Sequence, residues 1–153
     1  MKILLLPLAL LLGYAAPKPP RIQLKGYFSC QSSLIASTGD ALTCYARTQR
    51  ECRNGEVVLA FEKRLGKRDA KAVFGIVDTI HVRTATPGRY LTITSCTTAG
   101  GQPRQYFVLF RSDAASKEYL GSIIRVWGVN AQNQLVTVPV KNIKCLNDDY
   151  GAD

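Results

Sequence analysis

Histidine, methionine and tryptophan each occur once in this chain of 153 residues, and the shortage of histidine excludes the most. Hydrolases of the common types rely on a base that works near neutral pH, most often histidine. The single candidate, His81, lies in "DTIHVRT", where strand alternation places it with Thr79 and Arg83 and opposite Ile80 and Val82, a solvent-facing position. No G-x-S-x-G nucleophile elbow occurs, and the glycine-containing "TTAGGQP" lacks the lysine and helix of a phosphate loop. Asp148 and Asp149 fall near the end of the chain, and Glu51, Glu56 and Glu62 have no context of a glycosidase carboxylate pair. The expectation is a protein that is not an enzyme and takes no cofactor.

Long hydrophobic runs are also scarce. The one present, residues 3–12, follows Lys2 and gives way to the small pair Ala15 and Ala16, which is the form of a secretory signal peptide over residues 1–16. Pro17, Lys18, Pro19 and Pro20 end it far short of the roughly 20 apolar residues a membrane helix needs. Residues 17–21 read as a proline-rich linker, residues 22–146 as one domain and residues 147–153 as an acidic tail. The C-terminal "LNDDYGAD" carries neither an anchor nor a retrieval signal. The chain also has no N-x-S/T sequon, so N-glycosylation is not expected. These features predict a secreted, extracellular protein without a transmembrane segment.

What is present in quantity is positive charge and cysteine. Twenty lysines and arginines against 11 acidic residues give a net charge of +9, which loss of Lys2 with the leader lowers by one. Such a surface attracts anionic partners, such as acidic polysaccharide or anionic phospholipid, through long-range forces that salt screens. Five cysteines, Cys30, Cys44, Cys52, Cys96 and Cys145, are disulfide candidates in an oxidising compartment, with one left over that is either buried or joins two chains. None has C-x-x-C spacing, and one histidine cannot complete a zinc site, so no metal is expected.

Along the chain, short apolar stretches rich in β-branched and aromatic residues alternate with turn compositions. "RIQLKGYFSC" reads as a half-buried strand, and "EVVLAFEK", with Val57, Leu59 and Phe61 on one side and Val58 and Ala60 on the other, as a central one. "FGIVDTIHVRT", "GRYLTITSC", "RQYFVLFRS", "GSIIRVWGV" and "NQLVTVPVKNI" follow, joined by "TATPG", "TTAGGQP" and "VNAQNQ". Helix is suggested in two places, from an Asp40 cap through "GDALTCYARTQREC" and over "SDAASKEYLG". The prediction is an all-β sandwich, of immunoglobulin-like or transthyretin-like form, with about seven strands and one or two short helices. "RQYFVLFR" mixes basic and aromatic residues, yet its apolar positions and Trp127 suit core packing, so no specific nucleic-acid binding is expected.

The order of segments resembles the transthyretin-like family of secreted nematode proteins. "IQLKGYFSC" is similar to that family's first strand, "NGEVVLAFEK" to its second, "VRTATPGRY" to a threonine-rich turn before a strand, and "YFVLFRSDAASKEYLG" to a strand and short helix. The sequence departs from the family in a cysteine-containing insertion over residues 31–53, in the basic character of the stretch after the second strand, and in lacking the family's histidine-cysteine pair. The hydroxyisourate hydrolases of the same fold would need several histidines and a Y-R-G-S ending, which are absent. Within the insertion, Cys44 and Cys52 flank "YARTQRE" closely enough to be bridged, leaving one long-range bridge among Cys30, Cys96 and Cys145.

The stretch "FEKRLGKRDAK" is the densest basic segment, with Lys63, Arg64, Lys67, Arg68 and Lys71 as candidate anion-binding residues. On a helix they would share one face; on a loop they would form a looser cluster. Its "LGKR" also has the form of a precursor cleavage and amidation site, ending a peptide at Leu65. Three functions follow: an extracellular binding protein for anionic surfaces, a carrier of a small hydrophobic ligand, or a peptide precursor. A homodimer through the odd cysteine or the sheet edges is a further expectation.

Overall fold

The computed structural model describes residues 22–111 and 117–151. Nine strands and one helix lie among them: β1 (Phe28–Leu34), β2 (Ala41–Ala46), α1 (Gln49–Asn54), β3 (Glu56–Arg68), β4 (Lys71–Arg83), β5 (Arg89–Thr97), β6 (Arg104–Arg111), β7 (Ile123–Val129), β8 (Leu135–Val138) and β9 (Lys144–Cys145). They form two antiparallel sheets, one ordered β1-β2-β3-β4 and the other β8-β7-β6-β5-β9. The all-β sandwich expected from the alternation is therefore the fold, with nine strands where about seven were counted.

The core lies between the sheets. Leu42, Cys44 and Ala46 of β2, Val57, Leu59 and Phe61 of β3, and Val82 of β4 meet Ile93, Phe107, Leu109, Trp127 and Leu135. Trp127 is packed, as the sequence suggested, and so is the odd face of "RQYFVLFR". The even face is apolar as well because a second cluster covers the outer side of the five-stranded sheet: Val108, Val126 and the Cys96–Cys145 bridge, with Tyr106, Phe110, Leu120, Ile123, Val138 and Ile143 against them. The chain that supplies this cover is tied down where Leu120 N–H donates to Cys145 O at 2.9 Å and Leu146 N–H to Ser95 O at 2.9 Å. Asp148 continues it by accepting a hydrogen bond from Thr94 Oγ1 at 3.2 Å.

Polar contacts clasp the two sheets along both edges. Gln31 of β1 donates to Thr92 Oγ1 at 3.3 Å and accepts from Ile93 N–H at 3.2 Å. On the opposite edge Asp78 of β4 accepts from Leu135 N–H at 2.7 Å. The clasps pair β1 with β5 and β4 with β8 across the sandwich, which fixes which loops gather at each end.

Three local expectations are corrected. The segment after Asp40 is strand β2, not helix, because it pairs with β1 and β3 on both sides and is buried on both faces. Asp40 does not cap a helix; its carboxylate accepts from Arg64 N–H at 3.1 Å. The helix begins later, at a Thr48 capping box with Glu51. The first strand likewise starts at Phe28, since Gly26 takes φ +77° in a turn and leaves Ile22 in a separate bridge to Ile76. Of the second helical suggestion, over "SDAASKEYLG", residues 112–116 lie outside the described residues, and residues 117–121 are not helical, with Tyr119 instead bridged to Leu146.

The cysteine pairing is the third correction. Cys30 bonds to Cys52 and Cys96 to Cys145, while Cys44 is free. The expected Cys44–Cys52 bridge fails because Cys44 sits in the middle of β2 facing the main core, whereas Cys52 on α1 lies over β1. The stretch expected as an insertion thus holds most of β1, all of β2 and most of α1, pinned by the disulfide from Cys52 to Cys30 just before it.

Burial answers what the odd thiol does. Cys44 is 4% exposed, and burial pushes its pKa up to about 12. It is a core residue, too deeply buried to link two chains, contrary to one route expected for a homodimer. Iodoacetamide at pH 8 is expected to leave the native protein unmodified and to add one label per chain in unreduced, denatured protein; rapid labelling of the native chain would contradict this burial.

Candidate anion-binding site

The five basic candidates lie on neither a helix nor a loop. The pairing of β2 with β3 ends at Ala41 opposite Glu62, whereas β3 and β4 stay paired to Arg68 opposite Lys71. Residues 63–75 therefore leave the sheet as a two-stranded arm. Asp69 and Ala70, at φ 49° and 64°, make the two-residue turn at its tip, the backbone form that matches the twist of a hairpin.

Register divides the basic side chains between the faces of the arm. A bulge at Leu65 shifts the alternation, so Lys63, Arg68 and Lys71 belong to one face and Arg64 and Lys67 to the other. Leu65 itself lies over Gly75, where a Cβ would come within 2.9 Å of Leu65 Cδ1. Neither the single-face stripe of a helix nor the loose cluster of a loop results; positive charge surrounds the whole ribbon.

The arrangement leaves this charge uncompensated. Arg68 stands directly opposite Lys71, a like-charge pair that costs stability in a ladder. Among the described residues the one ion pair is Arg83 with Glu56, near the other end of β3 and β4. The carboxylates at the base of the arm are engaged: Asp40 accepts from the Arg64 backbone, and Glu62, 7% exposed, accepts from Tyr45 Oη. Burial first, and then the Glu62 carboxylate, holds the Tyr45 phenol well above its ordinary pKa. Only Asp69, in the turn, offers an acid near the tip.

The arm shares its end of the sandwich with a cleft of about 700 Å³. Three chain reversals frame it: residues 35–40 between β1 and β2, 102–104 before β6, and 129–133 between β7 and β8. The first is held by Ile35 N–H to Asp40 O at 2.8 Å, and the last by Asn130 Oδ1, which accepts from the N–H groups of Gln132 and Gln134, each at 2.9 Å. Arg64 connects arm and rim, its guanidinium packing beside Gly39. No sequence signal pointed to this cleft. Its residues come from five separate stretches, of which "TTAGGQP" and "VNAQNQ" read only as turns.

The same geometry bears on "LGKR". Gly66 and Lys67 are paired with Val73 and Ala72, so a protease must first open the ribbon, which is a two-stranded and hence weakly held structure. Brief trypsin treatment is expected to cut first within residues 63–71. Both disulfides fall on one side or the other of this stretch, so the two fragments should separate on denaturation without reduction. A first cut elsewhere, or fragments that stay joined, would contradict the arm's exposure or the pairing.

Comparison with family models, with curated proteins and with solved structures finds no match for this chain.

Proposed function

We propose that this protein is an extracellular binding module whose basic arm engages a polyanion, and that it works by binding and not by catalysis. The observation that carries the reading is the arm itself: five basic residues gathered on one protruding hairpin, with Arg68 facing Lys71 and no carboxylate in salt-bridge range among the described residues. A surface that is repulsive alone and complementary to an anion is stabilised when the anion arrives. Two disulfides and the leader-like start support a location outside the cell. No helix among the described residues is long and apolar enough to cross a membrane. The two-sheet sandwich is of the class that the transthyretin-like resemblance implies.

The carrier reading has less support, because hydroxyl, amide and charged side chains stand among the apolar residues that line the cleft. The precursor reading is opposed by the place of "LGKR" inside a paired ribbon between strands of one core. Retention on immobilised heparin at low salt, compared between the natural chain and a Lys67→Glu, Arg68→Glu variant, tests the proposal. Retention that the variant loses supports it, and equal retention refutes it.

A further inference from the structure

We infer that the cleft beside the arm is a saccharide subsite, so that the polyanion is an acidic polysaccharide; this rests on the arm reading above. The floor of the cleft is Phe61 of β3 with Ser95 and Gln105, a directly opposed pair on β5 and β6. Two residues further along the same faces, Ile93 and Phe107 enter the core, so the cleft is the open mouth of the space between the sheets.

The character of its lining selects a ligand. Only two charged residues contribute, Asp40 and Arg104, of opposite sign. Net charge in the cleft therefore does not attract a polyanion; that task belongs to the arm. The rest of the lining combines apolar surface from Ile35, Phe61 and Val129 with hydroxyls and amides. A pyranose ring matches this mixture, with C–H faces for the apolar residues and edge hydroxyls for the polar ones. The volume also falls in the range of small-ligand sites, roughly 300–1,000 Å³.

One atom gives the match a direction. Gln105 Oε1 is buried and has no hydrogen-bond partner among the described residues. Buried acceptors are satisfied in the large majority of cases, and this one lies on a residue of the cleft floor. Neighbouring side chains cover this oxygen, so a sugar hydroxyl reaches it when the Gln105 side chain turns toward the cleft, and donation there completes its bonding. A polyanion without hydroxyl-bearing rings would engage the arm and leave this acceptor as it is. One chain can occupy both places, because Arg64 packs at the cleft rim and the remaining basic residues continue outward from it.

The test titrates the full chain with a heparin oligosaccharide and with poly(vinyl sulfate), a sulfated polymer that contains no sugar. Gln105→Leu removes the buried acceptor, so this variant is expected to melt no lower than the natural chain. Ser37→Trp, on the exposed rim, fills the cleft without touching the core. Both substitutions should weaken heparin binding about five- to tenfold, the worth of roughly one hydrogen bond, and leave poly(vinyl sulfate) unchanged. Equal effects on the two polymers, or no effect on either, would overturn the subsite. Lys67→Glu with Arg68→Glu should weaken both polymers; if it weakens neither, the arm reading falls, whatever the cleft variants do.

Discussion

Converting Lys67 and Arg68 to glutamate is expected to lower the affinity for heparin at low salt by at least about a hundredfold. A basic group close to a dense anionic surface contributes about 1 kcal/mol. The double reversal removes two such attractions and adds two repulsions, which gives roughly 3–4 kcal/mol, or about a hundred- to a thousandfold. The natural chain should itself release the ligand as salt rises, since the screening length falls from about 10 Å at 0.1 M to about 3 Å at 1 M. Fold stability should move the other way. Arg68→Glu places an acid opposite Lys71, replacing a repulsive cross-strand pair with an attractive one, so the melting temperature should hold or rise slightly. Affinity measured by titration at several salt concentrations, with melting recorded alongside, checks both signs. A variant that binds as before would remove the arm from the function; one that binds weakly because it has unfolded would show itself in the melt.

The second large effect concerns stability. Replacing Cys96 and Cys145 together by alanine is expected to cost about 4 kcal/mol, and replacing Cys30 and Cys52 about 3 kcal/mol, from the chain-entropy relation for separations of 49 and 22 residues. Packing should widen that gap. Cys96 and Cys145 are 1% and 0% exposed and belong to the second core with Val108 and Val126. The strand they close, β9, has only two paired positions, Cys96 with Cys145 and Thr97 with Lys144. Without the bridge, the cover over the five-stranded sheet depends on a few hydrogen bonds and its apolar contacts. Urea unfolding midpoints of the two double variants settle the order. Equal midpoints would mean that the cover holds itself in place without the cross-link. Poly(vinyl sulfate) binding under native conditions should survive the loss of Cys96–Cys145, because the arm that carries it belongs to the other sheet.

The sandwich was legible because its signal is local. Val57, Leu59 and Phe61 alternate with Val58 and Ala60, and any strand with that pattern must bury at least one face. His81 was placed correctly for the same reason, since exposure follows from parity along a strand; Trp127 is packed as expected, but Val126 and Gly128 beside it are buried too, so parity did not decide it. The segment from Asp40 was misread because Leu42, Tyr45 and Ala46 satisfy a helical spacing as well as a strand. The deciding contacts, with β1 on one side and β3 on the other, are not local. Cysteine pairing failed similarly: proximity along the chain favoured Cys44 with Cys52, whereas the sheet turned Cys44 inward and left Cys52 on α1.

Sequence alone determined the composition of the basic segment, the strand periodicities and the shortage of catalytic histidine, because each is a property of neighbours in the chain. Only the tertiary structure decided that Lys63 to Lys71 form an arm, since an arm exists where β3 and β4 outrun β2, and that depends on the length of a third strand. It alone also placed Gln105 and Phe61 in one cleft beside that arm. Residues 44 apart in sequence meet there because two sheets, clasped at Gln31 and Asp78, bring three unrelated turns to the same end.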